Sequence, residues 1–239
     1  MQGGGITYRG DSPAAEEGVV IVKLTYLGHA TFLLESGATS ILVDPYDEKV
    51  GYPVPTLRVD AVLISHDHAD HTNVSMAKGQ PRVIRGLADG NWRTVHEQVD
   101  GITITSVPTY HDDAQGAKRG RNTVFVIEGE GLRVVHLADL GHALTPESAA
   151  QIGRPDVLMI PVGGYYTIDA EQAHAIVAQL RPGIVIPMHY KTEVTPGLPL
   201  AGVDQFAAGA KVSKQAGHAA TIEARSVPRE PEVWVMAWK

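Results

Sequence analysis

The chain has 239 residues, of which 44% are hydrophobic and 20% charged, so it is long enough to bury a substantial core as one α/β domain or as two small ones. Its net charge of −7 argues against a broad nucleic-acid-binding surface, because phosphate binding needs a basic face. The absence of cysteine excludes disulfides, thiolate metal ligands and cysteine nucleophiles.

Residues 1–18 are rich in glycine and polar residues, and we interpret them as a flexible lead-in to a single domain over residues 19–239. They contain no apolar segment of the kind found in signal peptides. No stretch of the chain approaches the roughly twenty apolar residues of a membrane-spanning helix. We therefore expect a cytoplasmic protein without a membrane span.

A succession of apolar strand, glutamate, glycine-containing turn, apolar strand and aspartate occurs twice in the chain. The first copy covers residues 31–44 and ends at Asp44, and the second covers residues 123–139 and ends at Asp139. The repetition predicts two related halves of one β-rich domain. Further strands are predicted at residues 19–24, 82–85, 102–107, 157–160, 184–186 and 232–238.

The stretch Ser65–His71 concentrates side chains that bind metal ions. It follows the apolar residues 60–64, which predict a buried strand, and a strand end holds the loop that leaves it in a fixed arrangement. Histidine nitrogens and carboxylate oxygens are ordinary ligands of Zn²⁺ and related divalent ions. A polar surface loop is the alternative, but so many candidate ligands after a buried strand favour metal binding. The candidates are His66, Asp67, His68, Asp70 and His71.

Three further candidate ligands, His111, Asp139 and His189, each follow a predicted strand, where an α/β scaffold collects site residues. Taken singly, each also fits a structural role in a loop, a turn or the core. Together with the first loop they suggest two ions that share a water, with Asp139 bridging and Asp70 orienting or deprotonating the nucleophile. The first ion would bind His66, His68 and His111, and the second Asp70, His71 and His189.

Helices are predicted in the second half of the chain. Thr145 is a candidate N-cap for a short helix over Pro146–Ile152. Asp169, with Gln172 three residues later, predicts a capping box at the start of a longer helix, and residues 203–210 predict a third. Because several strands precede the helices in each half, the order favours a mixed αββα arrangement over a doubly wound sheet.

The motif His66-x-His68-x-Asp70-His71, followed in order by His111, Asp139 and His189, resembles that of the metallo-β-lactamase fold superfamily. A closer resemblance is to a bacterial group of metal-dependent hydrolases, which is similar in turn to ascorbate-6-phosphate lactonase and to the N-acyl-phosphatidylethanolamine phospholipase D enzymes. The stretches that carry this closer resemblance are residues 27–31, 136–142, 161–164 and 186–190.

This resemblance implies a four-layer αββα sandwich of two β-rich halves, with a two-metal site at one edge of the sheets. It assigns metal binding to the seven motif residues and a supporting role behind them to Asp44. Zn²⁺ suits these ligands, and Mn²⁺ or Fe²⁺ could occupy the same set. Ala138 departs from the pattern, because a glycine is expected before the bridging aspartate. Of the remaining histidines, His29 and His136 are candidates for orienting a ligand or a loop, and His174 is expected to face solvent.

The leading hypothesis is a metal-dependent hydrolase, in which a metal-bridging hydroxide attacks an ester, a lactone or a phosphodiester. The sequence lacks the Gly-x-Ser-x-Gly elbow, the P-loop and the Gly-x-Gly-x-x-Gly fingerprint of other enzyme classes. The alternative is a non-hydrolytic metal-binding or redox protein on the same fold. Related oxygen-reducing flavoproteins tend to carry a carboxylate where this chain has His68, which favours hydrolysis.

We expect a small-molecule substrate, with an anionic group as one option, and no nucleic-acid partner; homo-oligomerisation is left open. Asn122, Arg121 and Tyr190 are the candidate substrate-binding residues. Asn122 could donate to the substrate or cap a turn. Arg119 and Lys191 could also meet an anionic group, although solvated loop charges explain both equally well.

Overall fold

The computed structural model describes residues 21–239, without the side chains of Ile21 and of residues 213–216. The predicted lead-in at residues 1–18 lies outside the described residues. In chain order, the strands are β1 (Ile21–Gly28), β2 (Thr31–Ser36), β3 (Thr39–Val43), β4 (Leu57–Arg58), β5 (Ala61–Ile64), β6 (Ala77–Lys78), β7 (Arg82–Arg85), β8 (Leu87–Ala88), β9 (Asn91–Trp92), β10 (His96–Val99), β11 (Ile102–Tyr110), β12 (Arg121–Gly129), β13 (Leu132–His136), β14 (Val157–Pro161), β15 (Ile184–Met188), β16 (Val212–Ala216), β17 (Ala219–Glu223) and β18 (Glu232–Met236). The α-helices are α1 (Pro146–Ile152), α2 (Ala170–Leu180) and α3 (Val203–Ala207).

Two large sheets form the centre of the fold. The first has the strand order β17-β1-β2-β3-β5-β7, and the second has the order β10-β11-β12-β13-β14-β15-β18-β16. Within them, β1-β2-β3-β5-β7 and β11-β12-β13-β14-β15 repeat one succession of two antiparallel and then two parallel pairings. The two related halves that the sequence predicts are therefore confirmed as two sheets with a common topology.

The C-terminal strands join both sheets. β17 pairs antiparallel with β1 at the edge of the first sheet, whereas β18 pairs parallel with β15 in the second sheet and with β16 beyond it. A chain segment that crosses between the sheets ties them together. We therefore propose that residues 19–239 form one domain.

Alternation along the strands of the first sheet buries both of its faces. In β3, Ile41 and Val43 face the large core between the two sheets, while Leu42 faces a smaller apolar cluster on the other side. In β5, Leu63 faces the core between the two sheets and Ile64 faces the smaller cluster. Each face therefore needs its own cover, which explains why these strands read as continuous apolar runs.

The cover on the outer face of the first sheet is made of loops, short 3₁₀ turns and the two-stranded sheet of β4 and β6. Tyr46, Tyr52 and Met76 fill the smaller apolar cluster from this layer. Pro53 and Pro55 interrupt the segment, which prevents a regular helix there. The sheet-rich α/β fold is thus as predicted, but the α-helices of the described residues all follow strands of the second sheet.

The helices connect the parallel strands of the second sheet, and their ends match the sequence prediction. Thr145 Oγ1 accepts a hydrogen bond from the Ser148 N–H at the start of α1. At the start of α2, Asp169 and Gln172 form the predicted capping box. No helix within residues 21–239 is long and apolar enough to cross a lipid bilayer.

Helix α3 is shorter than predicted because its last turn tightens. The N–H groups of Gly209 and Ala210 donate to carbonyls three residues back, those of Phe206 and Ala207. His174 of α2 packs against this turn, with its ring stacked on Phe206 and its Nε2 donating to the Phe206 carbonyl over 3.0 Å. The expectation that His174 faces solvent was wrong, since it links two helices.

The capping box of α2 gives a test of the fold. Replacing Asp169 by alanine leaves first-turn N–H groups without an acceptor, and we expect it to lower the free energy of unfolding by about 1 kcal/mol. The melting temperature, measured by circular dichroism, should fall by about 2–4 °C. Glu171→Ala removes a carboxylate from the same turn without touching the cap and should cost less than half as much. Equal losses in the two variants would contradict this account of the cap.

Candidate metal centre

The candidate ligands all follow strands that end at one edge of the sandwich. In the second sheet, β11, β13 and β15 run in the same direction, since β11 and β13 both pair antiparallel with β12 and β13 to β15 are parallel. His111, Asp139 and His189 follow the ends of these three strands. His66 begins the loop after β5 of the facing sheet. Because strands of one direction end at one edge, the fold brings these distant residues together.

The candidate ligand atoms form two groups with no residue in common, and a third group, Asp44, His66 and His71, overlaps both; within each group the atoms lie within 4.8 Å of one another. One group is the trio expected for the first ion: His66, His68 and His111. The other contains the trio expected for the second ion and one more histidine: His29, Asp70, His71 and His189. The structure therefore assembles the same two groups that the sequence suggests and adds His29 to the second.

Asp139 lies between the two groups and is 1% exposed. Its Oδ2 is 3.1 Å from His111 Nε2 of the first group and 3.3 Å from His189 Nε2 of the second. Its Oδ1 is 3.4 Å from His71 Nε2. Burial acts to raise the pKa of Asp139, but the imidazoles of His189 and His71 hold it well below its usual value. The ionised carboxylate is placed to contact an ion in either group.

Several buried ligand atoms fit divalent ions because the protein leaves them unpaired. His66 Nε2, His71 Nε2 and Asp139 Oδ1 have no hydrogen-bond partner among the described residues. An unpaired buried polar atom costs about 1–3 kcal/mol, which a coordinate bond to a metal would remove. Burial also lowers the pKa of His66 well below its usual range, which keeps its imidazole neutral and able to bind a metal.

Asp44 orients one histidine in each group. It is fully buried after β3, and its carboxylate accepts from His71 Nδ1 at 3.1 Å and from Ser65 Oγ at 2.6 Å. Since Ser65 gives its single hydroxyl proton to Asp44, it accepts from His66 Nδ1 at 2.8 Å. Both histidines therefore carry a proton on Nδ1, and His66 presents Nε2 as a free lone pair. Burial acts to lower the pKa of His71, but the carboxylates of Asp139 and Asp44 raise it well above its usual value, so a metal ion at its Nε2 would displace a proton. The supporting role suggested for Asp44 has this geometric basis, and Ser65 joins it as a residue that the sequence prediction missed.

Asn122 positions Asp139 and is not among the residues that line the cavity beside the candidate metal centre. It is fully buried in β12, where its Oδ1 accepts from the Asp139 N–H at 3.1 Å. Its Nδ2 donates to Thr109 Oγ1 at 2.8 Å and to the Leu137 carbonyl at 3.1 Å. These three bonds occupy the amide, so the structure corrects the expectation that Asn122 contacts substrate. Ala138, just before the aspartate, has a φ of 50°, a left-handed conformation that accounts for the glycine expected there.

His29 and His136 contact different parts of the site. His29 Nε2 donates to Asp70 Oδ2 over 3.1 Å, and burial, together with the neighbouring His189, lowers the pKa of His29 to about 4, so the ring is neutral. His136 is fully buried, with Nε2 donating to the Ala30 carbonyl over 2.8 Å. It thereby fastens the turn between β1 and β2 to β13, the strand that leads to Asp139. Both histidines thus support the ligands, and His29 also reaches the second group.

Two glycines of the resembling stretches permit the close backbone contacts of the site. A Cβ on Gly163 would lie 2.2 Å from the His189 carbonyl oxygen, and one on Gly141 would lie 2.3 Å from the His111 carbonyl carbon. Any side chain at either position would displace the backbone of a ligand histidine. These glycines explain why stretches remote from the metal motif carry the family resemblance.

A cavity of about 350 Å³ opens onto the metal centre. Its lining combines ligand residues with residues that the ligand motif did not include. Lining residues from the site are His29, His68, Asp70, His111, Asp139 and His189, and the others are Lys118, Arg119, Tyr166 and Leu198. Lys118 and Arg119 come from the Gly- and Arg-rich loop before β12, whereas nothing in the sequence pattern singled out Tyr166 or Leu198.

The other substrate candidates lie away from this cavity. Arg121 donates to the Gly90 carbonyl at 2.7 Å and packs over the Trp92 ring. Tyr190 is 7% exposed, and its hydroxyl donates to the Met236 carbonyl at 3.3 Å. The contact of Tyr190 uses its hydroxyl, whereas Nε of Arg121 is buried with no hydrogen-bond partner among the described residues. The expectation for Tyr190 is corrected accordingly. Arg121 lies outside this lining and its contact with substrate stays a prediction, and Lys191 is an exposed residue outside the lining.

Ser65 gives a test of the hydrogen-bond chain behind the ligands. Ser65→Ala removes the acceptor that fixes the His66 tautomer, and we expect about 10–100-fold weaker binding at the first ion position. Competition with a chromophoric zinc chelator would measure the affinity. Ser75→Ala, at an exposed turn, is the matched control and should bind zinc as the parent chain does. Unchanged affinity in Ser65→Ala would show that the chain of bonds does not orient His66.

Comparison with known proteins agrees with this geometry. Residues 23–189 match the model of the β-lactamase superfamily domain. A UPF0173 metal-dependent hydrolase of Archaeoglobus fulgidus is 31% identical over an alignment of 195 residues that covers 72% of this chain and 84% of the relative.

A solved structure from Thermotoga maritima, described as a Zn-dependent hydrolase of the metallo-β-lactamase superfamily, is 39% identical with a TM-score of 0.73, covering 90% of this chain and 98% of the other. The metallo hydrolase Igni18 from Ignicoccus hospitalis is 25% identical with a TM-score of 0.63, covering 90% and 95%. The chain therefore belongs to the metallo-β-lactamase superfamily and, within it, to the UPF0173 family of metal-dependent hydrolases.

Proposed function

We propose that the chain is a hydrolase that uses two divalent metal ions to cleave an ester, a lactone or a phosphodiester in a small-molecule substrate. The observation that carries the proposal is the position of Asp139, which lies between two groups of candidate ligands, in each of which at least one buried imidazole nitrogen has no hydrogen-bond partner among the described residues. Bound divalent ions would act as Lewis acids and would lower the pKa of a water molecule so that it can serve as the nucleophile.

The ligand chemistry supports zinc, while Mn²⁺ or Fe²⁺ suit the same donors. One ion would be held by three imidazoles and the other by two imidazoles and a carboxylate, with Asp139 in contact with both. The first set is His66, His68 and His111, and the second is Asp70, His71 and His189. Oxygen-reducing flavoproteins of this fold tend to carry a carboxylate at the position of His68. The imidazole at this position therefore supports hydrolysis over the reduction of oxygen.

Asp70 is the residue placed to handle the proton of the attacking water. Its side chain is 37% exposed at the cavity, and its Oδ2 accepts a hydrogen bond from His29. Burial acts to raise the pKa of Asp70, but that bond and the nearby His71 hold it below its usual range. An ionised carboxylate in this position can orient a water molecule and accept its proton.

Replacement of Asp139 tests the two-ion arrangement. Asp139→Ala removes the contact between the two groups, so we expect loss of the second ion and a fall in hydrolysis of more than about 100-fold. Elemental analysis of the purified variant would give its metal content. Asp113→Ala, an exposed carboxylate two residues after His111, is the control and should keep both ions. Full metal content with full turnover in Asp139→Ala would rule out the proposed arrangement.

A hydrolysis screen tests the substrate class. Chelated and zinc-reloaded protein would be assayed on a lactone series and on a chromogenic phosphodiester. We expect turnover that requires the metal; turnover of lactones would favour the lactonase chemistry, and turnover of the diester alone the phosphodiesterase chemistry. If protein with both ions bound cleaves neither series, the proposed substrate class is wrong.

A further inference from the structure

Arg119 lies in the wall of the cavity beside the metal centre with its charge unpaired. Its side chain is half-buried, and no described residue accepts a hydrogen bond from its guanidinium or forms an ion pair with it. The guanidinium carbon is 5.4 Å from the ring centre of Tyr166 and 5.9 Å from that of Tyr165. Packing against aromatic rings holds an arginine in place while leaving its N–H groups free for an anion.

The backbone that carries Arg119 is fixed by the carboxylate of Asp112. This carboxylate accepts hydrogen bonds of 2.7–3.0 Å from the N–H groups of Ala114, Gly116, Lys118 and Arg119. Four hydrogen bonds to one carboxylate hold the backbone of residues 114–119 in a single arrangement. Since Asp112 directly follows a ligand histidine, the loop ties the position of the guanidinium to the metal centre.

The other charged residues of the cavity have partners or a separate task. Lys118 Nζ pairs with Asp113 Oδ1 at 2.7 Å, and both side chains are exposed. Asp70 and Asp139 are the acidic residues of the lining, and both belong to the ligand set. Arg119 is thus the cation of the described lining whose guanidinium N–H groups have no protein acceptor, which makes that guanidinium available to a ligand.

We propose that Arg119 binds an anionic group of the substrate, a carboxylate or a phosphate, at a distance from the bond that is cleaved. The inference rests on the proposed hydrolase function and narrows its substrates to small esters, lactones or phosphodiesters with a second, anionic group. A planar guanidinium offers paired N–H donors that match two oxygens of such a group. The cavity of about 350 Å³ has room for a small molecule that spans from the metal centre to this arginine.

Paired hydroxamates test this inference by calorimetric titration of the zinc-loaded protein. Each ligand binds the metal through the same hydroxamate headgroup, and a short, medium or long methylene chain ends in a carboxylate, a phosphonate or a methyl group. At one chain length or more, we expect an anionic end to bind at least about tenfold more tightly than a methyl end. The carboxylate and phosphonate series tell the two kinds of anion apart.

Variants of Arg119 assign the preference to that side chain. Arg119→Gln should abolish the preference for an anionic end and leave the affinity of the methyl-ended ligands unchanged, and Arg119→Lys should retain part of it. Arg229→Gln, an exposed arginine of a different groove, is the matched control and should keep the full preference.

The possible results separate this inference from the proposed function. A preference that survives in Arg119→Gln, or no preference at any chain length, overturns the assignment of Arg119 and leaves the hydrolase proposal standing. If the folded, zinc-treated protein binds no methyl-ended hydroxamate, the metal centre itself is wrong. That result removes the proposed function and the inference that rests on it.

Discussion

The metal centre depends on the buried carboxylate of Asp44. An ionised carboxylate without hydrogen-bond donors costs several kcal/mol to bury, and Asp44 meets this cost with donors from Ser65 and His71. The same bonds decide which nitrogen of His71, and through Ser65 which nitrogen of His66, carries the proton. One residue behind the ligands thus aims two imidazoles, one from each group, at the place where metal ions would bind.

Asp44 and Asp139 hold corresponding positions in the two halves of the fold. Asp44 follows β3, which pairs antiparallel with β2 and parallel with β5. Asp139 follows β13, which pairs antiparallel with β12 and parallel with β14. Near each aspartate the backbone takes a left-handed conformation, with a φ of 46° at Asp44 and 50° at Ala138. His29 and His189 have φ values of 55° and 52°. Such conformations are rare outside glycine and gather at functional sites, where the surrounding structure holds them. The two aspartates differ in role, because Asp44 orients candidate ligands from behind and Asp139 lies between the two groups.

The sequence was sufficient for the parts of the structure that local patterns control. Apolar runs, capping residues and the spacing from His66 to His71 depend on near neighbours in the chain, so the apolar strands, the caps and the first loop of candidate ligands could be predicted. The less apolar strands β10, β16 and β17 of the two large sheets were not predicted. The roles of Ser65 and Asn122 could not, because each depends on a partner brought close by the fold, such as Asp44 or the N–H of Asp139. A polar residue that follows or lies in a buried strand gives no sign of which partner it will meet.

The cavity wall was the least predictable part of the site. The sequence offered several basic residues as partners for an anionic group, and all of them lie in loops or next to strand ends. Only the packed structure shows that Arg121 is held by the Gly90 carbonyl while Arg119 remains unpaired against Tyr166. The wall is built from segments far apart in the chain, so its composition follows from the sheet topology and not from any local motif.

The most direct test of the two-ion centre is a crystal structure of the zinc-loaded protein with anomalous diffraction measured at the zinc absorption edge. The account predicts two anomalous peaks, one on each side of Asp139. One peak would lie among His66, His68 and His111, and the other among Asp70, His71 and His189. A single peak, or peaks that do not contact Asp139, would contradict the account.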